Sequence, residues 1–204
     1  MSENEFYKTI RGPAYAELKD RGSKFLAYAF PIQSVDNFKI KLQELKKEHP
    51  KAAHHCFAYR LGIDRNNFRM SDDGEPPGTA GRPILGQIDS KGLTNVLLII
   101  VRYFGGTLLG VPGLISAYKT AATLALQETT VVQKPVSVRW QLNFDYTQMN
   151  EVMRRIKAFN CEITEQDMQL FCRMVIDVPK NRMQEMTEIF RNIYGLKINF
   201  IGHE

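Results

Sequence analysis

The sequence predicts an α+β protein of two domains, residues 1–134 and 135–204. Three observations carry this. Segments of strand character and segments of helical periodicity follow one another irregularly along the whole chain. The charge is divided unevenly: residues 1–134 hold 18 Lys and Arg against 13 Asp and Glu, whereas residues 135–204 hold nine of each. Pro135 stands after a long helical pattern and before a strand pattern. Proline ends a helix readily, because it has no N–H to give and restrains the residue before it.

In the first domain, Ala14 to Leu18 and Phe25 to Ile32 read as strands joined by a turn at Asp20-Arg21-Gly22-Ser23. Ser34 is a helix N-cap, after which Val35, Phe38, Leu42 and Leu45 fall on one helical face. Cys56 to Leu61 and Asn67 to Met70 are strands, followed by a turn-rich stretch from Ser71 to Gly81 and a short helix from Arg82 to Asp89. Asn95 to Phe104 is aliphatic and β-branched with no polar alternation before Arg102, the pattern of a strand buried on both faces. A glycine-rich turn from Gly105 to Gly113 leads into an Ala- and Leu-rich helix, Leu114 to Gln127.

The second domain reads strand (Val138 to Phe144), helix (Tyr146 to Phe159), two strands (Glu162 to Glu165, Leu170 to Val178), helix (Asn181 to Ile193), strand (Leu196 to Ile201). That order is ferredoxin-like.

Composition narrows the classes. With 44% apolar and 24% charged residues, the chain is not of the disordered type. Its longest apolar run, Val96 to Val101, is too short to span a bilayer, so no membrane association is expected. The polar start MSENEFYKTIRG lacks the apolar core of a signal peptide. Cys56, Cys161 and Cys172 are odd in number and have no CxxC or CxxH spacing. Reduced thiols and a cytoplasmic location are therefore expected, with no cofactor.

Four groups of residues are candidates for chemistry. The turn around Gly105, Gly106 and Thr107 joins a buried strand ending in Arg102-Tyr103 to a helix, a setting that offers backbone N–H groups to an anion. The same glycines also serve a tight turn or close packing. Asp72, Asp73 and Glu75 form an acidic loop that suits a hard cation or an ion pair, although Asp and Gly are ordinary turn formers. His54 is a candidate acid or base, and a structural histidine is the plainer reading. Arg60, Arg82, Arg102 and Lys119 are interleaved with aromatic residues, a composition that nucleic acid or phosphate binding uses. Solvated or internally paired arginines are the alternative. Arg102 ends an apolar strand and so needs an anionic partner, for which the acidic loop is the economical source.

The stretch GRPILGQIDSKGLTNVLLIIVRYFGGTLLG, Gly81 to Gly110, resembles the IMPACT family, its bacterial two-domain YigZ-type members in particular. Upstream, Lys51-Ala52, His54, Ala58-Tyr59-Arg60, Asp72-Asp73-Gly74-Glu75 and Ala80-Gly81-Arg82 are similar to it as well. The resemblance implies a first domain of the ribosomal protein S-five domain-two type. It implies a second domain similar to the RNA-binding-like domains of elongation factor G. It also implies a translation setting, since eukaryotic members are translation regulators that act through partner proteins.

The function expected is that of a non-enzymatic factor binding RNA or the translation machinery, with an RNA or ribosome-associated partner on the first domain and a protein partner on the second domain's sheet. The alternative is a phosphate-ligand enzyme, a small-molecule phosphotransferase or hydrolase using the glycine-rich and acidic loops.

Overall fold

The computed structural model describes residues 5–203; the first four residues of the polar amino-terminal segment lie outside them. The described chain falls into two compact units, Tyr7–Lys134 and residues 135–203 together with Glu5 and Phe6. Glu5 groups with the second unit because its carbonyl accepts the N–H of Val136 at 2.7 Å.

In the first unit, strands β2 (Ala14–Asp20), β3 (Ser23–Pro31), β4 (His54–Leu61), β5 (Asn67–Ser71) and β6 (Val96–Tyr103) form one sheet in the order β2-β3-β6-β4-β5, every pair antiparallel. Strand β6 is central, and its alternation builds two cores. Val96, Leu98 and Ile100 pack with helices α2 (Gly81–Ser90) and α3 (Gly110–Gln127) on one face. Leu97, Ile99 and Val101 pack with Phe38 and Leu45 of helix α1 (Val35–Glu48) on the other. This is why the strand shows no polar alternation until Arg102. Ser34 caps α1, its hydroxyl accepting the N–H of Asn37 at 3.1 Å.

Two features depart from the sequence reading. Helix α3 starts at Gly110, four residues before Leu114, because Pro112 sits in its first turn, where a missing N–H costs nothing. Strands β1 (Phe6–Ile10) and β7 (Val131–Pro135) pair in a two-stranded ribbon. Each is five residues long and its partner lies more than a hundred residues away, so no local pattern marks the pairing.

In the second unit, β8 (Ser137–Asp145), β9 (Glu162–Asp167), β10 (Phe171–Pro179) and β11 (Lys197–His203) form an antiparallel sheet in the order β11-β8-β10-β9. Helices α4 (Met149–Ala158) and α5 (Met183–Arg191) cover one face, with Val152, Ile156, Met186 and Phe190 packed on Leu142, Met174 and Ile176. The strand order and the alternation of helices are ferredoxin-like. Charged and amide side chains ladder the central strands: Arg139 donates two bonds to Asp177, and Arg173 donates to Gln141 at 3.1 Å.

Candidate functional site

Arg102 continues the row Val96, Leu98, Ile100 along β6, so it points toward α2 and α3. Its cross-strand neighbours are Phe25 on β3 and His54 on β4. The guanidinium is buried. Its Nη1 donates to Glu75 Oε1 at 2.6 Å, Nη2 donates to Ser23 Oγ at 3.3 Å, and Nε is buried with no partner. It lies 5.4 Å from the Phe25 ring centre and 5.7 Å from that of Phe104. Glu75 Oε1 also accepts the Tyr118 hydroxyl of α3 at 2.7 Å. Cys56 Sγ stands 3.3 Å behind that hydroxyl. Burial, with the neighbouring Glu75 carboxylate adding to it, pushes both the Tyr118 hydroxyl and the Cys56 thiol well above their ordinary pKa. Both stay protonated and serve as donors.

The acidic loop is folded by its own carboxylates. Asp72 Oδ1 accepts the N–H groups of Ala80 and Gly81, and Oδ2 accepts that of Gly78, which ties the loop to the start of α2. Burial acts to raise the Asp72 pKa, but these three donors outweigh it and hold the carboxyl below its usual range. Asp73 has a positive φ of 43° and Gly74 follows at 89°, a turn that brings the Asp73 carbonyl within 2.7 Å of His54 Nδ1. His54 Nδ1 therefore donates, and its Nε2 stands 3.9 Å from Glu75 Oε1.

These groups floor a cavity of about 500 Å³. His54, Glu75 and Arg102 form its polar base, and Pro76, Phe104, Leu108, Leu109, Val111 and Leu114 its walls. Phe104, Leu108 and Val111 are exposed around it, Leu108 by 84%. The loop that carries them is held to the turn between β2 and β3 by Arg21 donating to the Leu109 carbonyl at 3.1 Å and by one close approach. A Cβ on Gly105 would stand 1.8 Å from the backbone carbon of Gly22, so only glycine fits there.

The structure thus brings His54, Glu75 and Arg102 together, and it corrects the grouping of the others. Arg102 is paired inside the protein with Glu75. Tyr103 faces the opposite side of the sheet, where its hydroxyl bonds His49 Nδ1 at 3.0 Å. Arg60 is held by both oxygens of Asp89. Arg82 and Lys119 are exposed and are not among the cavity walls. Gly105 serves close packing, while Gly106 and Thr107 lie exposed in the same loop. Asp72 spends both oxygens on backbone N–H groups, while Asp73 Oδ2 accepts that of His55 at 2.6 Å and its Oδ1 lies 3.9 Å from Lys46 Nζ. Among the described residues, no three His, Cys, Asp or Glu side chains are grouped as a metal site would need. Sequence reasoning missed Ser23 and Tyr118. The signal for Tyr118 was present: it is the one large polar-tipped residue in the buried, alanine-rich row of α3.

Comparison with known proteins agrees with this layout. Residues 21–126 match the Impact N-terminal domain. The chain is 32% identical over 167 residues to the IMPACT family member YigZ of Escherichia coli, covering 81% of this chain and 82% of that one. It is 31% identical over 188 residues to an IMPACT family member of Haemophilus influenzae, covering 89% and 91%. A crystal structure of a hypothetical protein is similar over 99% of this chain and all of that one, with a TM-score of 0.75 and 29% identity. The chain belongs to the IMPACT family.

Proposed function

We propose that this protein is a binding factor of the translation machinery, and that the cavity beside Arg102 is where it holds a protein component. The observation that carries this reading is the exposed apolar rim, Phe104, Leu108 and Val111, around an apolar cavity whose floor is charge-balanced by Arg102 and Glu75. Such a surface matches an apolar anchor side chain of a partner better than a phosphate, since the guanidinium at the floor is already paired with Glu75. The translation setting comes from what resemblance to the IMPACT family implies. The phosphotransferase alternative draws no support from the acidic loop, since Asp72, Asp73 and Glu75 are already engaged inside the protein.

A photo-crosslinking residue in place of Leu108, with another at Ile40 of α1 as control, tests the proposal in cells. Adducts with a ribosomal protein or translation factor from position 108 alone are expected. Adducts with RNA only, or none, would contradict it.

A further inference from the structure

A second pocket lies within the unit Tyr7–Lys134, away from the cavity just described. It measures about 240 Å³ and shares no wall with that cavity. Tyr7, Thr9, Ile10 and Ile32, all buried, form its inner wall. Arg11, Asn37, Asn95 and Lys134 stand around it, and no carboxylate is among the described residues that line it. Among the described residues, neither Arg11 nor Lys134 has an ion-pair partner.

The two asparagines are oriented by their own bonds. Asn37 Oδ1 accepts the N–H of Gln33 at 3.1 Å, and Asn95 Oδ1 accepts the N–H of Gly62 at 2.9 Å. Each amide therefore keeps its Nδ2 as a donor without a bond among the described residues. The Asn95 carbonyl is taken by the Ile32 N–H and the Thr9 hydroxyl. Two cations and two amide donors thus line the pocket, beside the Gln33 amide and the Tyr7 and Thr9 hydroxyls. Helix α1 begins in the same wall, with Asp36 of its first turn paired to Lys39 at 2.9 Å.

We propose that this pocket binds a phosphate group through Arg11, Lys134, Asn37 and Asn95. A tetrahedral oxyanion presents several acceptor oxygens at once, which is what convergent donors of this number recognise. The pocket also gives a place to the positive excess of residues 1–134, which the neutralised Arg102 does not supply. The phosphate has two chemical sources, the backbone of a single-stranded RNA or a small phosphorylated metabolite.

The test uses the full chain with three probes: inorganic phosphate, a mononucleotide and a short oligouridylate. The side-chain amide resonances of Asn37 and Asn95 are expected to shift with inorganic phosphate. Arg11→Gln with Lys134→Gln should weaken binding on the order of tenfold or more, while Arg11→Lys with Lys134→Arg retains it. If the source is RNA, the double Gln variant also lowers the slope of log K against log salt by about 1.4, two contacts at roughly 0.7 each. If oligouridylate binding is absent or unchanged while the mononucleotide is lost, the source is a small phosphate. Leu108→Asp should leave phosphate binding intact, so this proposal and the one for the cavity fail separately. Unmoved amide resonances in the wild type, or a double Gln variant that binds phosphate as the wild type does, would overturn the site.

Discussion

Arg102 and Glu75 are a buried pair, and removing either partner strands the other. Arg102→Met leaves the Glu75 carboxylate without its cation, and a loss of about 3–5 kcal/mol in urea unfolding is expected. Arg102→Met combined with Glu75→Leu should recover part of that loss, the remainder being the buried Tyr118 hydroxyl left without its acceptor. A double variant no more stable than the single one would contradict the ion-pair reading. Asp72 carries a pH dependence of definite sign. Its folded pKa lies below the ordinary 3.8, so its contribution is present above that value and is lost as pH falls through the lower, folded value. Asp72→Ala should cost about 1–3 kcal/mol at neutral pH, and the gap to the wild type should close in acid. At this scale the need of Arg102 for an acidic partner was legible, because a guanidinium closing an apolar strand has few ways to be satisfied. Which carboxylate would serve was not. That choice depends on the left-handed turn at Asp73 and Gly74, which swings Glu75 inward.

Glycines of similar appearance in the sequence do opposite work in different elements. Gly105 lies against the Gly22 backbone in the loop between β6 and α3, and Gly105→Ala should destabilise by about 1–3 kcal/mol or more. Gly86 is inside α2 with nothing near its missing Cβ, and Gly86→Ala should stabilise by about 0.5–1 kcal/mol. Thermal unfolding of the two variants checks both signs. The helices and the main strands were readable because each has its own period. The ribbon of β1 and β7 was not, since its evidence lies in a partner far along the chain. The start of α3 was obscured by Gly110, Pro112 and Gly113, which read as turn residues but occupy a first helical turn.

For the whole molecule, we propose that Tyr7–Lys134 and the region after Pro135 are separate folding units, each with its own sheet and core. Expressed alone, residues 7–134 should unfold cooperatively in urea; a fragment without a cooperative transition would contradict this. The binding reading belongs to that unit, because all the walls of the Arg102 cavity lie within it. The apolar character of that cavity was hidden in the sequence, where Leu108 and Val111 sat among glycines and looked like loop filler. The central claim is that this rim holds a protein of the translation machinery, and co-sedimentation with ribosomes tests it most directly. Wild-type protein should pellet with ribosomes and Leu108→Asp should remain in the supernatant while keeping the wild-type melting temperature. Equal pelleting of the two proteins, or no pelleting of the wild type, would contradict it.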